Sequence, residues 1–373
     1  MKGRFIDTRS LGARSPGASV LVAMSGGVDS AVAALLLARA GFRPVGLTMK
    51  NYCYGEENIP DRSCCSIEAV EDARRECDRI GIPHRVADVE ALFTAEVIDN
   101  FVSEYENART PNPCVRCNTV VRFRTLLEHA EKLGIEYVAT GHYARVFERD
   151  DGRRFVARAI NREKDQSYFL SGVHGATLDR VLFPLGAIGK DAVRTAAREA
   201  SMDVADKAES QEVCFVPEGG VRAFLETRGV TFVPGKIENT KGEVVGTHAG
   251  LSEFTVGQRR HLGIAAGTPQ YVVKLDKKRN VLVLGGPSDL VERELACTFE
   301  WLDPSAVEDV REVTAQIRYR HTPAPLARLS VEGASSRVEF VTPQRAICPG
   351  QTIVLYLGDI VVGSGVIDET GSL

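Results

Sequence analysis

Val20-Leu21-Val22-Ala23-Met24-Ser25-Gly26-Gly27-Val28-Asp29-Ser30 sets how this chain begins to fold. The apolar run Val20–Met24 reads as a strand buried on both faces, and a helix follows through Leu35–Leu37 to Gly41. Between them Ser25–Ser30 is a tight turn whose glycines leave backbone N–H groups open to an anion. The helix N-terminus and the Ser25 and Ser30 hydroxyls add donors. Asp29 would repel a bare phosphate, so it is expected at the helix start or facing Mg²⁺. The spacing is neither GxxxxGK[ST] nor GxGxxG, which weakens kinase and dehydrogenase readings. A plain strand-to-helix turn capped by serines would show the same residues.

Further strands are read at Pro44–Met49, His84–Val89 and Tyr137–Thr140. Helices are read at Ser66–Ile80, with Ile67, Val70, Cys77 and Ile80 on one side, near Ala91–Glu104, at Val120–Leu133 and at Gly189–Met202. Repeated strand–helix units predict a mostly parallel sheet covered on both faces, with its ligand site beyond the carboxyl ends of the strands. Beyond residue 210 short strands dominate. They include Tyr271–Leu275, Val281–Leu284, Val313–Tyr319, Ala327–Val331, Val338–Val341, Ile353–Leu357 and Ile360–Val366. They predict a small barrel or sandwich. The expected division is a loose basic tail at 1–17, a nucleotide-binding domain at 18–209, a β-rich domain at 210–290 and a C-terminal domain at 291–373.

The composition is 44% hydrophobic and 26% charged, that of an ordinary globular protein. No apolar run is long enough to cross a bilayer, and no secretory signal is visible, so a cytoplasmic protein is expected. A formal charge of −4 argues against unspecific coating of nucleic acid, though an enzyme gripping one RNA through local patches remains open. Nine cysteines in such a chain point to chemistry or metals more than to structural disulfides.

Asn112-Pro113-Cys114-Val115-Arg116-Cys117 opens an amphipathic helix, with Asn112 as N-cap and Pro113 at the first helical position. Cys114 and Cys117 then sit in its first turns, where the helix dipole and Arg116 favour thiolate. Val120, Phe123, Leu127 and Ala130 are expected to fix that helix to the core. One CxxC leaves zinc and redox readings open. Cys214 is a third candidate, in Ser210–Phe215. Cys77, Cys297 and Cys348 read as core filler, and Cys53, Cys64 and Cys65 as loop thiols that are inert or form a redox or metal pair.

The loop resembles the signature of PP-loop ATP pyrophosphatases, which adenylate a carbonyl-type oxygen and release pyrophosphate. The wider chain resembles the tRNA-specific 2-thiouridylase family. The likeness runs through AMSGGVDS at 23–30, GLTMKNY at 46–52, RTPNPCVRCN at 109–118 and ATGHYAR at 139–145. It continues through KDQSYFL at 164–170, SQEVCFV at 210–216, GQRRHLGI at 257–264 and IRYRH at 317–321. It implies an α/β PP-loop domain, a central β-rich domain and a C-terminal β-barrel. It implies ATP contacts at Ala23, Met24, Ser25, Gly26, Gly27, Val28, Asp29, Ser30, Met49 and Gly141, with Mg²⁺ on the phosphates. By position Cys117 is the nucleophile and Cys214 the persulfide carrier. The implied tRNA contacts are Asn112, Pro113, Cys114, His142, Lys164, Asp165, Gln166, Arg318, Tyr319 and Gln351. The implied partners are tRNA, at the wobble uridine of Lys, Glu and Gln isoacceptors, and a cysteine desulfurase or sulfur-relay protein.

One departure stands out. Many family members carry Asp where this chain has Cys114, and a thiolate replaces a hard carboxylate poorly. Cys114, Cys117 and Cys214 make a three-thiol set, which in related sulfur-transfer enzymes holds a [4Fe–4S] cluster. Persulfide chemistry without a cluster and cluster chemistry therefore both stand. The basic groups Arg122–Arg124, Arg259–His261 and Arg318–His321 are expected as phosphate patches. Two rivals remain: an amidating PP-loop ligase and a non-catalytic RNA-binding or sulfur-carrier protein.

Overall fold

Five parallel strands form the first sheet of the computed structural model, in the order His84–Asp88, Arg43–Lys50, Ser19–Ala23, Tyr137–Ala139, Val181–Leu182. The structure describes residues 1–8, 15–52, 67–208, 213–217, 219–264, 268–332 and 335–370. Leu21 lies opposite Val45 on one side and Val138 on the other, so the loop-bearing strand is central. Val20, Val22 and Ala139 face the helices Val28–Arg39, Ile67–Ile80 and Lys190–Glu199. Leu21 alternates to the opposite face, which the helix Phe123–Lys132 covers by packing on the two central strands. Connections run outward in opposite directions from Ser19–Ala23 and Tyr137–Ala139. The gap beyond their carboxyl ends is the topological switch point.

Three expectations change here. The first residues are not a loose tail throughout: Gly3–Phe5 pairs antiparallel with Ala144–Arg149, which pairs in turn with Arg154–Arg158. Arg4 bonds Glu148, and the Arg145 guanidinium lies 3.8 Å over the Phe5 ring. In the helix Ile67–Ile80 the buried face is Ala69, Asp72, Ala73, Glu76 and Cys77, while Ile67 is 74% exposed. In the cysteine helix, Pro113–Arg116 leads into a π-helical turn, Cys117–Arg122, before Phe123–Lys132. The wider turn rotates the buried stripe, so Val121 and Leu126 are buried in place of Val120 and Leu127.

The chain divides into two compact units. The first holds residues 1–97, 114–217 and 359–361. The second holds 98–113, 218–358 and 362–373, and contains a four-stranded sheet and a barrel. The sheet runs Val244–His248, Gly235–Asn239, Val281–Gly285, Tyr271–Asp276, around Ile237, Val272 and Leu282. The barrel closes six antiparallel strands: Val291–Leu302, Ser335–Arg345, Ala324–Glu332, Val313–Gln316, Thr352–Leu357 and Ile360–Thr370. Val338, Phe340, Leu355 and Ile367 are among its buried residues. The parallel α/β sheet, the β-rich centre and the terminal barrel are the architecture the sequence implied. Val291–Leu302 went unread because its glutamates and arginine mask the alternation.

Candidate nucleotide and tRNA site

The loop after Ser19–Ala23 is held by its own serines. Ser30 Oγ donates to Gly27 O at 3.0 Å and accepts from Ser25 N at 3.1 Å, so Ser25 Oγ must donate to it at 3.2 Å. Gly26 takes φ +69°, and a Cβ there would lie 2.3 Å from Ala69 O. Gly141 approaches from the neighbouring strand: a Cβ on it would lie 2.7 Å from Asp29 C and Ser30 N. Gly27 is freer, with φ −108° and only Ser25 Oγ within reach of a Cβ, at 3.6 Å.

Asp29 sits in the first helical turn, as expected, but its carboxylate faces a protein cation and a phenol. The buried Lys190 Nζ donates to both oxygens, at 2.8 and 2.9 Å, and Tyr143 Oη donates at 2.7 Å. Lys207 Nζ closes the loop from above by donating to Gly26 O at 3.2 Å and to the Asp72 carboxylate.

A cavity of about 190 Å³ opens at the switch point. Ala23, Met24, Ser25, Asp29, Ser30, Met49 and Gly141 line it, and so do His142 and Gln166 from the expected tRNA set. Gly26, Gly27 and Val28 shape the loop without lining it, and Val28 is buried. Asn51, Arg122 and Thr140 complete the wall. Arg122 Nη1 donates to Asn118 Oδ1 at 2.8 Å and meets His142 Nε2 at 3.2 Å. A guanidinium only donates, so Nε2 accepts and the imidazole proton resides on Nδ1, which donates to Thr140 Oγ1 at 2.8 Å. Burial first, and the Arg122 charge second, push the His142 pKa down to about 3. The ring is neutral near pH 7.

The cysteines fall into two classes. Cys77, Cys297 and Cys348 are buried. Burial, with help from nearby carboxylates, pushes the Cys77 and Cys297 thiols up to about 12. Cys114 is exposed, and Cys117 and Cys214 are half-buried. Arg116, expected to favour thiolate at Cys114 and Cys117, bonds Glu96 at 2.8 Å. Among the described residues no group of three or more His, Cys, Asp or Glu side chains is placed to hold a metal ion. Cys114, Cys117 and Cys214 therefore do not form a cluster ligand set in this structure. Cys53, Cys64, Cys65 and residues 209–212 lie outside the described residues.

Three family models match in succession: tRNA methyl transferase HUP domain at 18–218, tRNA methyl transferase PRC-barrel domain at 222–286 and aminomethyltransferase beta-barrel domain at 293–367. The chain is 44% identical over 356 residues to the tRNA-specific 2-thiouridylase MnmA of Pelotomaculum thermopropionicum, covering 94% of this chain and 98% of that one. The MnmA of Heliobacterium modesticaldum is 45% identical, with 94% and 92% covered. That of Carboxydothermus hydrogenoformans is 44% identical, with 94% and 97% covered. The chain belongs to the tRNA-specific 2-thiouridylase family.

The remaining residues that likeness to the thiouridylases marks for tRNA have definite surroundings. Gln166 is locked to Tyr143, donating N to its O and accepting its N on Oε1, each at 2.9 Å. Asp165 accepts from Ala159 N, Ser167 N and Ser167 Oγ, which fixes the loop carrying the half-buried Lys164. In the second unit, Gln351 Nε2 donates to Thr110 O at 3.0 Å and Pro111 O at 3.1 Å, just before Asn112 and Pro113. Arg318 Nη1 donates to Arg345 O and Ala346 O, and Arg320 stacks beside Tyr319 at 5.8 Å. Lys190, Tyr143, Lys207 and Asn51 escaped the sequence reading, since a lone polar residue beside a helix or strand end carries no pattern. No helix among the described residues is long and apolar enough to cross a membrane.

Proposed function

We propose that this protein is a tRNA-uridine 2-sulfurtransferase, which uses ATP to replace the 2-oxygen of the wobble uridine with sulfur. The observation that carries the reading is the switch-point cavity. Ser25, Asp29 and Ser30 of the loop line it, and so does Arg122, the last residue of the turn that Cys117 begins. A phosphate cradle and a cysteine-bearing turn thus converge in a chain whose relatives are named 2-thiouridylases.

ATP is the substrate, with Mg²⁺ on its phosphates. Uridine O2 attacks the α-phosphorus as the bond to the leaving pyrophosphate breaks, and the N3 proton passes to solvent. The terminal sulfur of a Cys214 persulfide then attacks C2, and AMP departs with the oxygen. Cys117 gives up its thiol proton, which replaces the one lost from N3, and attacks the Cys214 sulfur, leaving the thiocarbonyl on the base and a Cys117–Cys214 disulfide that a thiol reductant reopens. Thiols alone carry the sulfur in this scheme, in keeping with cysteines that do not gather as cluster ligands. Cys114 is an exposed thiol in place of the usual carboxylate. A cysteine desulfurase or relay protein recharges Cys214 in the cytoplasm, and the substrates are the Lys, Glu and Gln isoacceptors. Asn112, Pro113, Lys164, Arg318, Tyr319 and Gln351 form the tRNA footprint. The working parts are 18–209, 210–290 and 291–373.

Mass spectrometry of tRNA nucleosides after incubation with the protein, ATP and a persulfide donor tests this. Formation of 2-thiouridine that requires ATP, and vanishes in Cys117→Ser and Cys214→Ser, is the expected result. Pyrophosphate release without any thiolated nucleoside would instead support the amidating-ligase alternative.

A further inference from the structure

Arg122 and Arg124 read from the sequence as one exposed basic patch, and the structure separates them. Arg124 is exposed and pairs with Glu128 one turn along at 2.9 Å. Arg122 is half-buried and lines the cavity together with Ser25, Asp29 and Ser30.

Its guanidinium is aimed by two neutral acceptors. Asn118 is buried and donates Nδ2 to Phe169 O at 3.0 Å, which turns its Oδ1 toward Arg122. His142 presents Nε2 as an acceptor because Thr140 takes its proton-bearing Nδ1. Both are hydrogen-bond acceptors that fix its plane, and a planar guanidinium matches phosphate oxygens in pairs. The π-helical turn supplies the rotation that brings Arg122 to the cavity, and such turns concentrate at functional sites.

We propose that Arg122 is a catalytic residue of the adenylation step, neutralising charge on the α-phosphoryl oxygens while the bond to uridine O2 forms and pyrophosphate leaves. Asn118 and His142 are its positioning residues. His142 serves as a fixed acceptor and does not shuttle a proton. This inference rests on the sulfurtransferase reading above and assigns to one side chain the stabilisation that reading requires.

Single-turnover pyrophosphate release with full-length protein, ATP and tRNA tests it, beside direct measurement of ATP and tRNA affinity. Arg122→Ala should lower the rate constant about 100-fold, as loss of one preorganised donor to a developing oxyanion does. ATP and tRNA affinities should hold within a few-fold. Low-millimolar guanidinium should restore part of the Arg122→Ala rate, and Arg122→Lys should recover only part, having charge without the fork. His142→Gln, which keeps an acceptor, should outpace His142→Leu, with no new ionisation in the pH–rate profile of either. A wild-type rate constant in Arg122→Ala, or a loss confined to affinity, would overturn the assignment while leaving the sulfurtransferase reading intact. No pyrophosphate release from the wild type with tRNA would instead sink that reading. Should Arg122→Ala not fold, Arg122→Lys and Arg122→Gln carry the same comparison.

Discussion

The switch-point loop and the barrel use their marked residues in opposite ways. At the loop, recognition is built into backbone: Gly26 and Gly141 are glycines because neighbouring main chain occupies the space a side chain would need. In the barrel-bearing unit the marked side chains hold up main chain instead. Arg318 supports the carbonyls of Arg345 and Ala346, and Gln351 those of Thr110 and Pro111. A motif made of backbone constraints keeps its meaning wherever it occurs. A basic or amide side chain does not, because its partners come from distant parts of the sequence.

The largest effects should therefore follow from filling glycine space at the loop. Gly141→Ala must push the Asp29–Ser30 backbone aside, and a displacement near 1 Å of a positioned group costs on the order of 100-fold. Calorimetric ATP titration should show a loss of about that size, and Gly26→Ala, with φ +69° besides, should do at least as badly. Gly27→Ala should bind ATP nearly normally, since its Cβ meets only a serine oxygen at 3.6 Å. Equal damage from all three would dissolve the distinction between backbone approach and simple conservatism of the loop.

The cysteines give a second, smaller contrast. Among the described cysteines, iodoacetamide on the native protein at pH 8 should label Cys114 first and Cys117 and Cys214 next. Cys77 and Cys297, buried and pushed up to about 12, should stay unlabelled until the protein unfolds. Labelling of Cys77 at the Cys114 rate would show that the helix Ile67–Ile80 opens in the native state.

Much of this was legible because it follows periodicity or loop chemistry. The parallel strands, the glycine loop and the start of the cysteine helix at Pro113 came directly from residue order. The π-helical turn did not, because one extra residue per turn leaves local composition unchanged while shifting the buried stripe from Val120 and Leu127 to Val121 and Leu126. Arg122 was read only as part of an exposed patch with Arg124, and its place in the cavity wall was hidden by the same shift. Lys190 was hidden differently: its partner Asp29 lies 161 residues earlier, and only the fold joins them.

His142 offers a test by pH. Its folded pKa is pushed down to about 3 from the ordinary 6.5, so the folded protein holds the ring neutral while the unfolded chain takes up the proton. The contribution is fully present above pH 6.5 and is lost as pH falls toward 3, at no more than about 1.4 kcal/mol per pH unit. Denaturant midpoints of the wild type should therefore fall more steeply below pH 6 than those of His142→Gln. Parallel profiles would show that Arg122 and burial do not hold the ring neutral.

The smallest effect should come from Gln351, and it tests the barrel side of the contrast. Its amide nitrogen donates to both Thr110 O and Pro111 O, so the side chain ties down the segment that leads into Asn112. Gln351→Ala should cost about 1–2 kcal/mol of unfolding free energy for two lost hydrogen bonds, with ATP affinity unchanged. Gln351→Glu should cost more, because a carboxylate brings no N–H and sets its charge against two carbonyl oxygens. If Gln351 acts chiefly through RNA, both variants should instead keep wild-type stability and weaken tRNA binding. A fall in stability that precedes any fall in tRNA affinity would place it with Arg318, as a support for main chain whose influence on RNA runs through the backbone it holds.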